Sequence, residues 1–174
     1  RLMGAVFCIA MMSACGYELT ANSPIVLPQD STKLFLSKVT NPTTETWLEP
    51  MIRTSLRDEL TRRGNVVWVS QNEAQATVTV DVRSYSTADA VKGRDDVTVK
   101  SEARIQLEVS FFDARTNALI WTSGPVMATE SYRASAEARA NAGHYLRPAG
   151  KREATQNAVD LAMRMVADRL GQKF

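Results

Sequence analysis

The side chain best placed for chemistry in this sequence is the thiol of Cys15. It closes the run Met12-Ser13-Ala14-Cys15, which follows an uncharged apolar stretch from Leu2 to Ala14 with one basic residue, Arg1, in front. A peptidase that cuts before a cysteine needs small side chains just ahead of the cut, because the substrate backbone must lie flat in a narrow cleft. Ser13 and Ala14 meet that need. The order predicts thioether formation between Cys15 and a lipid, with residues 1–14 removed as a truncated signal peptide. A stretch this short is poorly matched to a bilayer span. Gly16 follows the cysteine where lipoproteins held in the inner membrane commonly carry Asp, so the expected location is the outer membrane, lipid-anchored and facing the periplasm. Cys8 leaves with the signal and Cys15 is consumed, so the mature chain is expected to rely on its core and not on disulfides.

Other reactive groups do not converge. His144 is the single histidine, with no mature cysteine to pair with and no evident partners for a metal. Asp95 and Asp96 are adjacent, and neighbours on an extended segment point to opposite sides, so they read as a solvated turn. No Ser or Thr stands in a nucleophile-elbow or phosphate-loop context. The sequence therefore predicts no enzyme, no cofactor and no metal site. Lys plus Arg number 21 against 19 Asp plus Glu, which with secretion argues against a nucleic-acid partner. What remains are basic residues: Lys92, Arg94, Lys100 and Arg104 on or just before one long polar strand face, then Arg133, Arg139, Arg147, Lys151 and Arg152. Guanidinium forks and ammonium ions suit the phosphate and carboxylate groups of a lipid head. The other reading of the same residues is a solvated face interleaved with Glu102 and Glu108.

The elements that would position these groups can be read from hydrophobic period. Residues 15–32 carry Pro24 and Pro28 and little periodicity, and are expected to be the lipidated N-terminus and an extended tether ahead of a single domain, 33–174. Lys33 to Val39 alternates as a strand and stops at Asn41-Pro42. Leu48, Met51, Ile52, Leu56 and Leu60 then share one helical face; Thr43 or Thr44 is the expected cap, and Gly64 the stop after Arg62-Arg63, whose charges suit a helix C-terminus. A short strand at Asn65–Ser70 completes a βαβ unit, parallel by default. Ala76–Tyr85 alternates Val78, Val80 and Val82 with polar residues, a polar loop is expected at Ala88–Asp96, and Val97–Phe112 is the clearest strand: Val99, Ala103, Ile105, Leu107, Val109 and Phe111 on one parity, charged and polar residues on the other. Ala118–Ala128 is the return strand, with Gly124-Pro125 predicting a bulge or edge. Glu130–Gly150 reads as a loop with helical turns, and Arg152–Leu170 as a second helix whose stripe is Ala154, Ala158, Leu161, Ala162, Met165, Val166 and Leu170. The predicted fold is α/β: a two-layer sandwich with two amphipathic helices on one face of a four- to five-stranded mixed sheet, the charged face left for solvent or a partner.

These features together resemble the lipopolysaccharide-assembly lipoprotein family, LptE. The likeness rests on Cys15-Gly16-Tyr17-Glu18-Leu19, on Asn41-Pro42 before an amphipathic helix, on Ala76-Thr77-Val78-Thr79-Val80, on the long strand ending Phe111-Phe112-Asp113, on Leu119-Ile120-Trp121 and on the Ala-rich last helix. The resemblance implies a non-enzymatic partner of the large outer-membrane barrel LptD, seated in it as a plug, aiding its assembly and binding lipopolysaccharide on its way to the outer leaflet. It also implies lipopolysaccharide contacts before the long strand, at Lys92 and Arg94, and after the meander, at Arg133 with Arg139. A polar lumen suits a plug with a charged face such as that of Lys100 and Arg104. A generic lipid-anchored scaffold of another envelope complex would share anchor and fold class without needing a barrel, and a periplasmic enzyme would need a pocket of convergent polar groups.

Overall fold

The computed structural model describes residues 24–92, 98–133 and 148–172. Along these the chain forms β1 (Lys33–Thr40), α1 (Leu48–Arg63), β2 (Val67–Trp68), β3 (Ala76–Lys92), β4 (Thr98–Asp113), β5 (Leu119–Thr122), β6 (Val126–Arg133) and α2 (Pro148–Gly171), with short 3-10 turns at Pro28–Asp30 and Gln71–Glu73. One six-stranded mixed sheet has the order β2-β1-β3-β4-β5, with β6 also on β4. β1 runs parallel to both β2 and β3, which is the expected βαβ geometry, and the β3–β4 and β4–β6 pairs are antiparallel.

Both helices cover one face of the sheet, as the strand parity requires. Val78, Val80 and Val82 of β3 and Ala103, Ile105, Leu107, Val109 and Phe111 of β4 are buried beneath Leu48, Ile52, Leu56 and Leu60 of α1 and the inner stripe of α2. Phe111 meets Trp121 of β5 edge-on, ring centroids 5.6 Å apart. Each fully buried large apolar side chain contributes roughly 1.5–3 kcal/mol, so this single core supplies most of what stabilises the domain.

Several boundaries differ from expectation. The helix begins at Leu48, not under a Thr43 or Thr44 cap, because Thr43 is used one turn earlier. Asn41 Oδ1 accepts from the Thr43 N–H (3.1 Å) and hydroxyl (2.7 Å), and Thr43 Oγ1 accepts from the Glu45 N–H (3.2 Å). Gly64 does end α1, and for reasons of space: its N–H donates to Leu60 O at 2.8 Å, and a Cβ there would sit 3.0 Å from that same oxygen. β3 continues past Tyr85 to Lys92, since β4 is long enough to pair with it throughout. Likewise Glu130–Arg133 is strand, paired with Lys100–Ala103, and α2 starts at Pro148, so the loop expected at Glu130–Gly150 is shorter at both ends. Pro24–Thr32, expected within an extended tether, is docked: Ile25 and Leu27 are core residues and the Ile25 N–H donates to Arg63 O at 3.0 Å. The buried stripe of α2 is turned from the one predicted: Leu161 and Met165 are only half-buried at its margin, while Val159, Met163 and Ala167 are buried, because this helix packs against α1 as well as the sheet. The return strand is broken into β5 and β6 at Ser123–Pro125, where Gly124 has φ +59°. Ser123 Oγ accepts the buried Val109 N–H at 2.9 Å in place of a ladder carbonyl, and an Arg169 guanidinium N–H from α2 donates to Ser123 O and Pro125 O.

Candidate functional site

The face of the sheet away from the helices carries the charge. Period-2 alternation puts Glu102, Arg104, Gln106 and Glu108 of β4 there, flanked by Met127, Thr129 and Ser131 of β6 and by Asp81 and Arg83 of β3. A bulge between Val82 and Ser84 leaves Arg83 as an extra residue, and its Nη2 donates to Glu108 Oε2 at 2.9 Å. Glu108 also accepts from the Thr122 hydroxyl at 2.9 Å. The Arg83 hydrogen bond first, then Thr122, hold the Glu108 carboxyl below the ordinary range, while the same contact raises Arg83. This pair neutralises itself. Arg104 is far less committed: 54% of its side chain is exposed, its Nε is 3.4 Å from Thr129 Oγ1, and its nearest Glu102 oxygen is 3.8 Å away. Positive charge on the face therefore increases from the Glu108 end toward the start of β4.

The ladder continues in that direction. The cross-strand pairs Gln106↔Met127, Arg104↔Thr129 and Glu102↔Ser131 are followed by Lys100↔Arg133, while on the opposite side of β4 Lys100 pairs with Val91 and Thr98 with Lys92. Directly paired residues lie about 4.5–5.5 Å apart at Cα, so register alone gathers Lys92, Lys100 and Arg133 from three strands at one end of the sheet, with Arg104 about 13 Å further along. Lys92 was expected in a loop and is instead the last residue of β3. Cys15, Arg94 and Arg139 lie outside the described residues, as do Asp95, Asp96, His144 and Arg147.

A second group of charges that sequence period does not reveal lies beside this end, on the helix side. The bulge at Arg83 shifts the parity of β3, so Tyr85 turns toward α2 and stands opposite Ile105. Its hydroxyl is 2.9 Å from Thr155 Oγ1, and since Thr155 donates to Lys151 O at 2.7 Å, Tyr85 is the donor of the pair. Burial raises the Tyr85 hydroxyl above its ordinary value, in keeping with a proton held there. Lys151 Nζ lies 5.8 Å from the Tyr85 ring centre and ion-pairs with Glu45. The other Glu45 oxygen accepts the Trp47 Nε1–H at 2.6 Å, and Trp47 meets Tyr85 edge-on with centroids 6.1 Å apart. The Lys151 hydrogen bond lowers Glu45; on Lys151 burial acts downward, but Glu45 and the neighbouring tyrosines outweigh it and the net shift is upward.

Two grooves among the described residues lie away from these charges. One of about 450 Å³, lined by Val26, Leu27, Ile120, Trp121 and Leu170 among others, lies between the docked N-terminal segment, β5 and the end of α2. The other, about 440 Å³, runs between the helices and is lined by Ser55, Asp58, Glu59, Gln156, Asp160 and Arg164, with Ser55 donating to Asp160 at 2.6 Å. Among the described residues no group of His, Cys, Asp or Glu is placed to hold a metal ion, and no helix is long and apolar enough to cross a membrane.

Fold and site define a two-layer α/β domain that presents an open charged sheet face. The family model of LptE, lipopolysaccharide-assembly, matches residues 32–173, and the chain belongs to that family. Among solved structures it is similar to a lipoprotein of Caulobacter crescentus CB15, with a TM-score of 0.54 and 15% identity over 79% of this chain and 87% of that one. It is also similar to lipoprotein B of Nitrosomonas europaea, with a TM-score of 0.56 and 12% identity over 90% of each chain. At such identities the likeness is one of fold. No curated protein matches the chain.

Proposed function

We propose that this protein is a lipoprotein of the outer membrane, anchored through Cys15 on the periplasmic side, that assembles with and plugs an LptD-like barrel and takes part in carrying lipopolysaccharide to the outer leaflet. It does no covalent chemistry; its work is to shape the barrel lumen and to contact anionic lipid heads. The observation that carries this reading is the family membership over 32–173 together with a basic sheet end built by register from Lys92, Lys100 and Arg133 and continued by Arg104. A plug inside a polar lumen keeps its own core on one side and offers charge on the other, which is how this sheet is divided.

Three measurements test it. The protein is co-purified with the detergent-solubilised barrel, and lipopolysaccharide binding is measured for Lys100→Glu with Arg133→Glu and for Arg104→Glu. Retention on the barrel and weaker binding at unchanged melting temperature are expected, with a loss that shrinks at high salt because exposed charges are screened within about 10 Å. Unaltered binding at every basic position, Arg94 and Arg139 included, would remove the lipid-handling half of the reading; failure to co-purify would remove the barrel half. Cys15→Ser is expected to leave the domain folded and to abolish flotation with membranes that lack the barrel, since stable anchoring depends on acyl chains worth about 0.8 kcal/mol per buried CH₂.

A further inference from the structure

We propose that Arg152, held against Trp47 at the start of α2, is a preformed binding fork for a phosphate group, set apart from the open sheet face. The inference rests on the lipopolysaccharide reading for the source of that phosphate. The Arg152 guanidinium carbon lies 5.6 Å from the centre of the Trp47 ring, and the residue is exposed. Stacking on an aromatic face restrains the guanidinium plane and leaves its N–H edge free to donate.

Most other arginines on the helices and the neighbouring sheet face have anionic or carbonyl partners: Arg53 with Glu49, Arg62 with Glu59, Arg63 with Asp168, Arg83 with Glu108, Arg169 with two carbonyls; Arg57 of α1 also lies over a ring, 5.3 Å from the Trp68 centre, but at the β2 edge, at the end of the sheet opposite Lys100 and Arg133. Arg152 has no carboxylate within ion-pairing range among the described residues. Glu45, which also holds Trp47, is engaged at both oxygens, one by Lys151 and the other by Trp47 Nε1–H. That engagement also fixes the platform: Trp47 is pinned by Glu45 on its N–H and by Tyr85 at its edge. A cation whose orientation is set by its neighbours, and whose charge none of them cancels, loses little entropy on meeting an anion.

The position suits a lipid head that already touches the sheet. Gly150 packs on Tyr132, with a Cβ there 3.7 Å from the ring, and Tyr132 precedes Arg133 on β6 and pairs with Ser101, next to Lys100. Arg152, two positions further along the helix, faces Trp47 at the start of α1 instead, so the fork stands at this end of the molecule on the helix side, toward α1 and away from β6.

Arg152→Gln and Arg152→Lys are compared with the native protein and with the Lys100→Glu, Arg133→Glu double variant, by melting temperature and by affinity for lipopolysaccharide. Inorganic phosphate is titrated in a second arm, read by tryptophan fluorescence, to which Trp47, Trp68 and Trp121 all contribute. Arg152→Gln is expected to weaken lipopolysaccharide binding about three- to tenfold at a melting temperature within about 3 °C of native, with Arg152→Lys intermediate because it keeps charge and lacks the fork. A phosphate-induced change in fluorescence that disappears in Arg152→Gln supports the same site; if it disappears while lipopolysaccharide affinity is unmoved, the ligand is free phosphate. Native behaviour of Arg152→Gln in both arms, with binding lost in the sheet double variant, overturns the fork and leaves the sheet reading intact. Loss in neither set overturns the lipopolysaccharide reading as well.

Discussion

Arg62 and Arg63 are adjacent and of one type, yet replacing them should have very different consequences. Arg62 is 45% exposed and pairs with Glu59 at the surface of α1, whereas Arg63 is only 2% exposed. The Arg63 Nη1 lies 2.6 Å from Asp168 of α2 and 3.5 Å from Glu59, so it joins the ends of the two helices. Removing one member of a buried ion pair costs about 3–5 kcal/mol when the other charge is stranded. Here the stranding is partial: Asp168 is 42% open to water and Glu59 keeps Arg62, which lowers the electrostatic loss to about 2 kcal/mol. The buried aliphatic stem adds about 1 kcal/mol. Arg63→Ala should therefore cost about 3 kcal/mol out of the 5–15 typical of a domain, and lower the melting temperature by about 10 °C. Arg63→Met, which restores the stem, should cost about 1–2 kcal/mol, and Arg62→Ala under about 0.5 kcal/mol. Urea unfolding at constant slope, with calorimetry beside it, measures all three. A loss below about 1 kcal/mol for Arg63→Ala would refute the reasoning, because it would mean that Asp168 and Glu59 are satisfied without the guanidinium. Lipopolysaccharide binding should be unchanged in the folded variants, since this pair lies away from the open sheet face.

Ile105→Asp should unfold the domain, since Ile105 is fully buried beneath the helices, while Gln106→Asp, on the open face, should shift the unfolding midpoint little; equal effects would mean that the β4 register is wrong. Ser123→Ala strips the buried Val109 N–H of its acceptor and should cost about 2 kcal/mol, against almost nothing for Ser110→Ala, whose 3.4 Å contact is exposed. The Glu45–Lys151 pair gives a pH dependence of known sign: Glu45 is lowered on folding, so its contribution is present above the ordinary carboxylate range and fades as pH falls through it, and Lys151 is raised, so its contribution fades only as pH rises through its alkaline titration. Glu45→Gln should flatten the acid limb of a melting-temperature profile, and an unchanged limb would show that the pair does not couple to folding.

The parts of this fold legible in sequence are those whose cause is local. Alternation along β4 named Ile105, Leu107, Val109 and Phe111 as core because a strand next to helices must divide its faces, and the α1 stripe from Leu48 to Leu60 follows from the same demand at helical period. What was hidden depends on a distant partner. Past Tyr85, β3 reads as polar loop because the bulge at Arg83 breaks its parity, and it stays a strand only because β4 is there to pair with. Ile25 and Leu27, with Val26 facing out between them, are too short a pattern to signal docking between two prolines, and their support comes from Arg63 and the end of α2.

The basic residues are the same case with functional weight. Composition counts cations, but what a cation can do is set by whether a carboxylate reaches it in the folded chain. Arg63 finds Asp168 across 105 positions and Lys151 finds Glu45 across 106, and both become structural. Arg83, expected on the polar face of β3, is neutralised by Glu108 at 2.9 Å, while Arg104 two pairs further along has only a long contact of 3.8 Å with Glu102. Tertiary pairing thus separates the Lys and Arg that serve the fold from those, such as Arg104 and Arg152, whose charge stays largely open to an outside anion. If that accounting is right, charge reversal at Arg104 or Arg152 should weaken lipid binding, whereas the same reversal at Arg63 or Lys151 should act first on stability. A variant set in which binding loss followed the number of cations removed, regardless of their partners, would refute it.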